Sequence, residues 1–338
     1  MSKNAEKRIE QLRAANLRLL RRLEEAHERR SYLIKAVYDA INDGISSLDL
    51  SSVRSIVPHD QGQSDEVPII VFSDWQLGKK TPTYNTEVCA KRIQKYCEKL
   101  ARIVELHRRA KRISSARVYL LGDIVEGELI FPGQVHHIDA SLYRQVTVDG
   151  PRILYNALTQ MLQIFSDIKV ICVTGNHGAL GGKQRKEYSP ESNADLILYR
   201  ILSLLFKDCD RIKFELPDKY SKRQWYAIDR IGKYSFLLFH GDQMRGGGFA
   251  GIPFYAFARA IYSWSSGAIP EKFDYAICGH WHQAASLPFN FKVLWVNGST
   301  ESYNVYAQEE IKAMSAPQQW LLFCHPEHGV TAEYRIWL

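Results

Sequence analysis

Val67-Pro68-Ile69-Ile70-Val71-Phe72-Ser73-Asp74-Trp75-Gln76-Leu77-Gly78 decides how this chain is read. Its first six residues form an unbroken apolar run rich in β-branched side chains, the pattern of a strand covered on both faces. The run then stops and delivers an acid, Asp74, and an amide, Gln76, to the loop beyond. The same arrangement recurs downstream. Val118-Tyr119-Leu120-Leu121 leads into Gly122-Asp123, and Val170-Ile171-Cys172-Val173-Thr174 leads into Gly175-Asn176-His177. Ser235-Phe236-Leu237-Leu238-Phe239 leads into His240-Gly241-Asp242, and Tyr275-Ala276-Ile277-Cys278 leads into Gly279-His280-Trp281-His282. Loops leaving strand ends in open α/β sheets are where ligands bind, so these polar groups can converge in one crevice. The donors are carboxylate, amide and imidazole with no thiolate, a set suited to Mn²⁺, Mg²⁺, Fe or Zn²⁺.

Around these runs the periodicity predicts strand 67–73, helix 86–112, strand 116–121, helix 151–166, strand 168–173 and helix 191–206. A β-rich second half follows, with strands at 212–216, 224–230, 234–239, 273–278, 292–297 and 319–324. Alternating strands and helices followed by β-rich sequence imply a layered α/β fold, two sheets enclosed by helices. Upstream, residues 1–45 read as a long helix. Ile9, Asn16, Leu23 and Arg30 fall at the a positions of a heptad seam, with Leu12, Leu19, Ala26 and Leu33 at d. A homodimerising coiled coil, a helix packed on the folded domain and a basic arm for nucleic acid are the competing readings. Residues 46–66, with Pro58 and Asp60-Gln61-Gly62, read as a linker, and 67–338 as the folded domain.

Composition sets the outer limits. The chain has 338 residues, enough for one large α/β domain with an appendage. Six cysteines without a C-x-x-C pair, two of them inside strand runs, suggest reduced thiols and a cytoplasmic setting. No apolar stretch reaches bilayer-spanning length, so no membrane partner is expected. The net charge of +7 is modest, but basic residues gather in 7–30, along 91–112 and at Lys183-Gln184-Arg185-Lys186. Such clusters can track a phosphate backbone, or simply form solvated helix faces. Phe249, Phe254, Tyr255, Trp264 and Trp281 offer ring faces for base stacking or for core packing.

Taken together and in order, the five motifs resemble the calcineurin-like metallophosphoesterase superfamily, whose pattern runs D-x-H, G-D, G-N-H, H and G-H-x-H. The resemblance covers about residues 67–300. Ser73-Asp74-Trp75-Gln76-Leu77-Gly78 is similar to the S-D-W-H-L-G opening of the Mre11/SbcD-type DNA-repair nucleases. Gly122-Asp123-Ile124-Val125-Glu126-Gly127-Glu128, followed by Phe131-Pro132-Gly133-Gln134, resembles the exonuclease small subunit of archaeal D-family DNA polymerase. Similar sequences occur in phage-encoded members. The resemblance implies a four-layer α/β/β/α sandwich and a two-metal site. One cation would be held by Asp74, Gln76, Asp123 and His282, the other by Asp123, Asn176, His240 and His280, with Asp123 shared. It implies that a water activated there attacks phosphorus in line with the leaving oxygen. His177 would stabilise the transition state and protonate the leaving alkoxide, a task suited to imidazole.

Two departures qualify the expectation. Gln76 stands where the pattern has His, and its neutral carbonyl oxygen favours the harder ions, so Mn²⁺ is the expected metal, ahead of Mg²⁺, Fe or Zn²⁺. Gly178 stands where many relatives carry Asp, a loss expected to alter the orientation of the metal donors more than their number. The sequence therefore predicts a metal-dependent phosphodiesterase, most readily a DNA nuclease, with an ATPase or a replication or repair complex as a partner. A phosphatase or cyclic-nucleotide phosphodiesterase, and a non-catalytic DNA-binding or scaffold subunit, are the alternatives. No nucleophile elbow, phosphate-binding P-loop or zinc knuckle competes.

Overall fold

The computed structural model describes residues 65–182, 189–217, 225–245, 251–302 and 316–338. The N-terminal helix, all but the last two residues of the linker, the basic loop 183–186 and the glycine run ending at Phe249 lie outside the described residues.

The opening run forms β1 (Val67–Phe72), and α1 (Thr86–Arg108) follows it. Asn85 caps α1 by accepting from Val88 N at 2.9 Å. Then come β2 (Ser115–Leu120), α2 (Gly150–Ile164), β3 (Asp167–Cys172), α3 (Ala194–Leu205) and β4 (Ile212–Glu215). β1 to β4 are parallel neighbours. The long hairpin of β10 (Gln318–His325) and β11 (Gly329–Trp337) completes this six-stranded sheet, with β10 antiparallel to β1. The second sheet has five strands in the order β5 (Tyr226–Ile231), β6 (Tyr234–Phe239), β7 (Tyr275–Cys278), β9 (Lys292–Val296) and β8 (Ala285–Phe289).

Side-chain alternation explains the layering. In β1 the odd residues Val67, Ile69 and Val71 face the second sheet, where Phe236, Leu238, Ile277 and Trp295 meet them in one apolar cluster. The even residues face the helices, and the Phe72 ring lies 4.9 Å from that of Tyr96 on α1. The other face of the second sheet packs Leu237, Phe239, Ala276 and Leu294 against Phe257 and Ile261 of α4 (Phe254–Ser263). The result is the four-layer α/β/β/α sandwich expected from the sequence. Strands buried on both faces read as continuous apolar runs, which is why β1, β2 and β3 were identifiable within a residue.

Three elements were not anticipated. α4 begins after Pro253 in a stretch so rich in aromatics that its helical period is hidden. β8 carries Pro288, tolerated because β8 is an edge strand. β11 is the opposite edge, with alternating polar residues in place of an apolar run. In addition, α1 ends at Arg108 and not at 112.

Candidate metal centre

The structure brings all five motif loops to the same end of the two sheets, because each follows a strand of like direction: β1, β2, β3, β6 and β7. Backbone bonds knit the loops together. Asp74 N donates to Gly122 O at 3.0 Å, Gln76 N to Asp123 O at 3.1 Å, and Gly279 N to His240 O at 2.8 Å.

Asp123, Asn176, His240 and His280 form one half of the centre. His240 Nε2 lies 3.0 Å from Asp123 Oδ2, 3.1 Å from Asn176 Oδ1 and 3.2 Å from His280 Nδ1. One ligand atom from each of Asp123, His240 and His280 lies within 4.8 Å of the others. His240 Nδ1 donates to Leu121 O at 2.8 Å, which leaves the Nε2 lone pair as the atom free for a cation.

Asp74, Gln76 and His282 form the adjoining half. His282 Nε2 is 3.4 Å from Asp74 Oδ1 and 3.4 Å from Gln76 Nε2. His282 Nδ1 donates to Glu301 Oε1 at 2.7 Å, fixing the ring as the Leu121 carbonyl fixes His240. The two halves are tied by His280 N, which donates to the Asp74 carboxylate at 2.9 Å.

Two observations test whether these residues fit divalent cations, and both favour it. Gln76 Oε1 is buried and has no hydrogen-bond partner among the described residues, a state that costs free energy unless something else satisfies the oxygen. In addition, Asp74, Gln76, Asp123, His280 and His282 have φ between 49° and 70°, and only one other described non-glycine residue, Asn290, has positive φ. Such backbone costs on the order of 1–3 kcal/mol per residue and gathers where function demands it. Gln76 thus retains the strained backbone that the other donors share.

Electrostatics follows from burial and crowding. Burial opposes a charge on His240, but the Asp123 carboxylate outweighs it and raises the imidazole to about 10. His282 is likewise opposed by burial, yet Glu301 and Asp74 raise it to about 10. His280 is lowered to about 4 by burial and by the His240 charge beside it. Burial pushes Asp123 up, but His240 and His177 more than reverse this and hold it below the usual carboxylate range.

His177 stands beside this cluster. Its backbone N donates to Asp123 Oδ1 at 2.7 Å, while its ring Nδ1 donates to Glu126 O at 3.0 Å and lies 3.4 Å from Glu126 Oε2. Burial disfavours its charge, and the Asp123 and Glu126 carboxylates overcome that to raise the ring to about 9.

Sequence reading missed several supporting residues. Glu301 and its ion pair with Lys79 belong to a sixth loop, Asn297–Ser302, beyond β9. The signal was present, because Val293-Leu294-Trp295-Val296 ends in Asn-Gly as the other runs end in their motifs. From this loop Ser299 Oγ donates to Asp74 O at 2.6 Å, and Asn297 Nδ2 donates to Ser73 Oγ at 2.9 Å. Glu126 is buried three residues past Asp123, where Gln134 Nε2 donates to its Oε1 at 3.0 Å. Asp195, at the start of α3, accepts from four backbone amides of two motif loops. Nothing in its local sequence marks it beyond the Asn193 cap.

Other expectations fare unevenly. Of the basic residues along 91–112, Arg92 donates to Ser302 Oγ and to Thr300 O, Arg108 to Ile113 O and Ile164 O, and Lys99 to Trp337 O. Lys91 pairs with Glu87, and Arg112 with Asp65. Much of that charge is therefore occupied within the fold. Trp264 packs against Trp225 and Phe239, and Trp281 against Phe257. Phe254 and Tyr255 remain exposed, as do His136 and His137 on a 3₁₀ turn. All six cysteines are free, and no described helix is long and apolar enough to cross a membrane.

No protein-family model matches the sequence, and no curated protein matches it. Solved structures do share its fold. Vps29 from Entamoeba histolytica, complexed with Zn²⁺, has 13% identity and a TM-score of 0.35, covering 80% of this chain and 99% of its own. An archaeal phosphodiesterase has 10% identity and a TM-score of 0.35, again over 80% and 99%. A phosphoesterase, so described by prediction, from Streptococcus pneumoniae has 12% identity and a TM-score of 0.29, over 80% and 98%. Likenesses this distant speak to architecture alone. The functional argument rests on the residues at the strand ends.

Proposed function

We propose that this protein is a metal-dependent phosphodiesterase that uses two divalent cations, Mn²⁺ foremost, and acts on DNA. The observation that carries the reading is the pair of adjoining donor groups, His240 with Asp123 and Asn176, and His282 with Asp74 and Gln76. Asp74, Gln76, Asp123 and His282 would hold one cation, and Asp123, Asn176, His240 and His280 the other. Gln76 contributes a neutral oxygen, which supports Mn²⁺ or Mg²⁺ over Zn²⁺. When bound, the cations would supply charge to neutralise a phosphate and acidify a water.

The chain's own residues do the rest. Leu121 O and Glu301 keep His240 and His282 in the tautomer that presents Nε2. Glu126 holds His177 through Nδ1, leaving Nε2–H to protonate the departing alkoxide. His177 holds that proton less tightly once the Asp123 charge is offset by divalent cations, which brings the ring into the range where a general acid works near neutrality. DNA as substrate is supported by the net positive charge and by the resemblance of residues 73–78 to DNA-repair nucleases. Helix α1 contributes little to it, because so many of its cations are engaged internally.

The test is Mn²⁺-dependent cleavage of end-labelled single- and double-stranded DNA beside bis-p-nitrophenyl phosphate, for the wild type and His177→Ala. DNA cleavage that is lost in His177→Ala is expected. Turnover of the small ester alone would replace DNA by a compact phosphoester as substrate. Binding of Mn²⁺ and DNA without turnover of either would replace the enzyme by a scaffold subunit.

A further inference from the structure

Gly178 follows His177 and brings no side chain, yet the space beside it is filled. A Cβ built there would lie 2.5 Å from Asn193 Oδ1, 2.9 Å from Asp195 N and 3.2 Å from Asp195 Cγ. The backbone of Gly178 is outside the left-handed region, so packing and not dihedral strain excludes a side chain. The neighbours that exclude it come from the start of α3.

Asp195 is fully buried, and its carboxylate does unusual work for one side chain. Oδ2 accepts from Asp123 N at 2.9 Å and from Gly175 N at 2.9 Å. Oδ1 accepts from Ile124 N at 3.1 Å and from Val125 N at 3.3 Å. Three of these amides belong to the loop after β2 and one to the loop after β3. Asn193 completes the grip: its Nδ2 donates to Gly175 O at 2.9 Å, and its Oδ1 accepts from Asp195 N at 2.9 Å. Ala194 N in turn donates to Gly178 O at 2.7 Å. The start of α3 is therefore fastened to both loops that supply Asp123 and Asn176.

We infer that Asp195 is a positioning residue that locks the Asp123 loop to the Asn176 loop in cation-binding geometry, supplying from α3 the carboxylate that position 178 lacks. This rests on the two-cation reading above. Asp123 and Asn176 come from separate strands, and their separation decides whether both can reach the same ion. Backbone bonds within each loop cannot set that separation, whereas one rigid carboxylate bonded to both loops can. Displacement of outer partners of metal donors commonly lowers affinity about tenfold to a hundredfold.

The experiment measures Mn²⁺ affinity of the full chain by isothermal titration calorimetry and by Mn²⁺ electron paramagnetic resonance, with circular dichroism melts of each metal-free variant. Asp195→Asn keeps the shape but turns an amide donor toward four N–H groups, and Asp195→Ala removes the acceptor altogether. Gly178→Asp combined with Asp195→Ala moves the carboxylate to the space described above. Both single variants are expected to fold and to lose about tenfold or more in Mn²⁺ affinity, with the double variant recovering most of the loss. Wild-type affinity in Asp195→Asn, or no recovery in the double variant, would overturn the inference. So would failure of the single variants and the double variant to fold while the metal-free wild type does, because Asp195 would then serve the fold and not the site. A wild type that binds no Mn²⁺ would overturn the two-cation reading itself, a result distinct from equal binding by wild type and variants.

Discussion

Loading the centre with metal should expel protons, and the number is set by the imidazoles. In the metal-free protein His240 and His282 are each raised to about 10 and carry a proton at neutral pH, whereas His280, lowered to about 4, does not. For His240 and His282, Nδ1 is already committed to Leu121 O and Glu301, so a cation can only reach Nε2 after its proton leaves. Two cations should therefore release about two protons, and the affinity of each half should rise about tenfold per pH unit across the neutral range, roughly 1.4 kcal/mol per unit. The assay is titration calorimetry with Mn²⁺ in buffers of different ionisation enthalpy, repeated between about pH 6.5 and 8.5. The sign for stability runs the other way without metal. A raised imidazole stabilises the fold fully below its ordinary value of 6.5, and that contribution is lost as pH rises through about 10. The metal-free melting temperature should fall toward alkaline pH, and saturating Mn²⁺ should flatten or invert that slope. A binding heat independent of buffer, with affinity flat in pH, would refute the reasoning.

Three further outcomes follow from the geometry. His177→Ala should lower kcat by about a hundredfold to ten-thousandfold with Mn²⁺ affinity unchanged, because its ring rests on Glu126 and on none of the donors; steady-state kinetics beside calorimetry checks both halves of the statement. In Gly175→Ala the new Cβ would fall 2.1 Å from Asp123 Oδ1 and 2.3 Å from Asp123 N. Mn²⁺ binding should weaken sharply, and overpacking should cost about 1–3 kcal/mol in denaturant unfolding. Glu301→Gln leaves His282 Nδ1 with a weaker acceptor and Lys79 with a neutral partner, so Mn²⁺ affinity should fall by about tenfold while activity at saturating metal recovers.

How much of this was legible beforehand depends on where each contact lies along the chain. The apolar runs ending in Asp74, Asp123, Asn176, His240 and His280 betrayed both the strands and the donors, because a strand buried on both faces leaves no other pattern. The edges did not announce themselves: Pro288 in β8 and the alternating polar residues of β11 look like loop or surface. Asp195 was hidden for a different reason. Its partners are backbone amides of residues 123, 124, 125 and 175, which carry no sequence signature. The basic run of 91–112 misled in the opposite direction, because Arg92 and Arg108 spend their charge on carbonyls inside the fold.

The central claim is that two cations held at these strand ends hydrolyse a phosphodiester. Its most direct test is Mn²⁺-dependent hydrolysis of bis-p-nitrophenyl phosphate and DNA by the wild type against Asp123→Asn, with bound Mn²⁺ counted in the same samples. The account predicts two Mn²⁺ and turnover in the wild type, and loss of both in Asp123→Asn. Turnover that persists in Asp123→Asn or in the presence of a chelator, or two bound Mn²⁺ with no hydrolysis of either substrate, would contradict it.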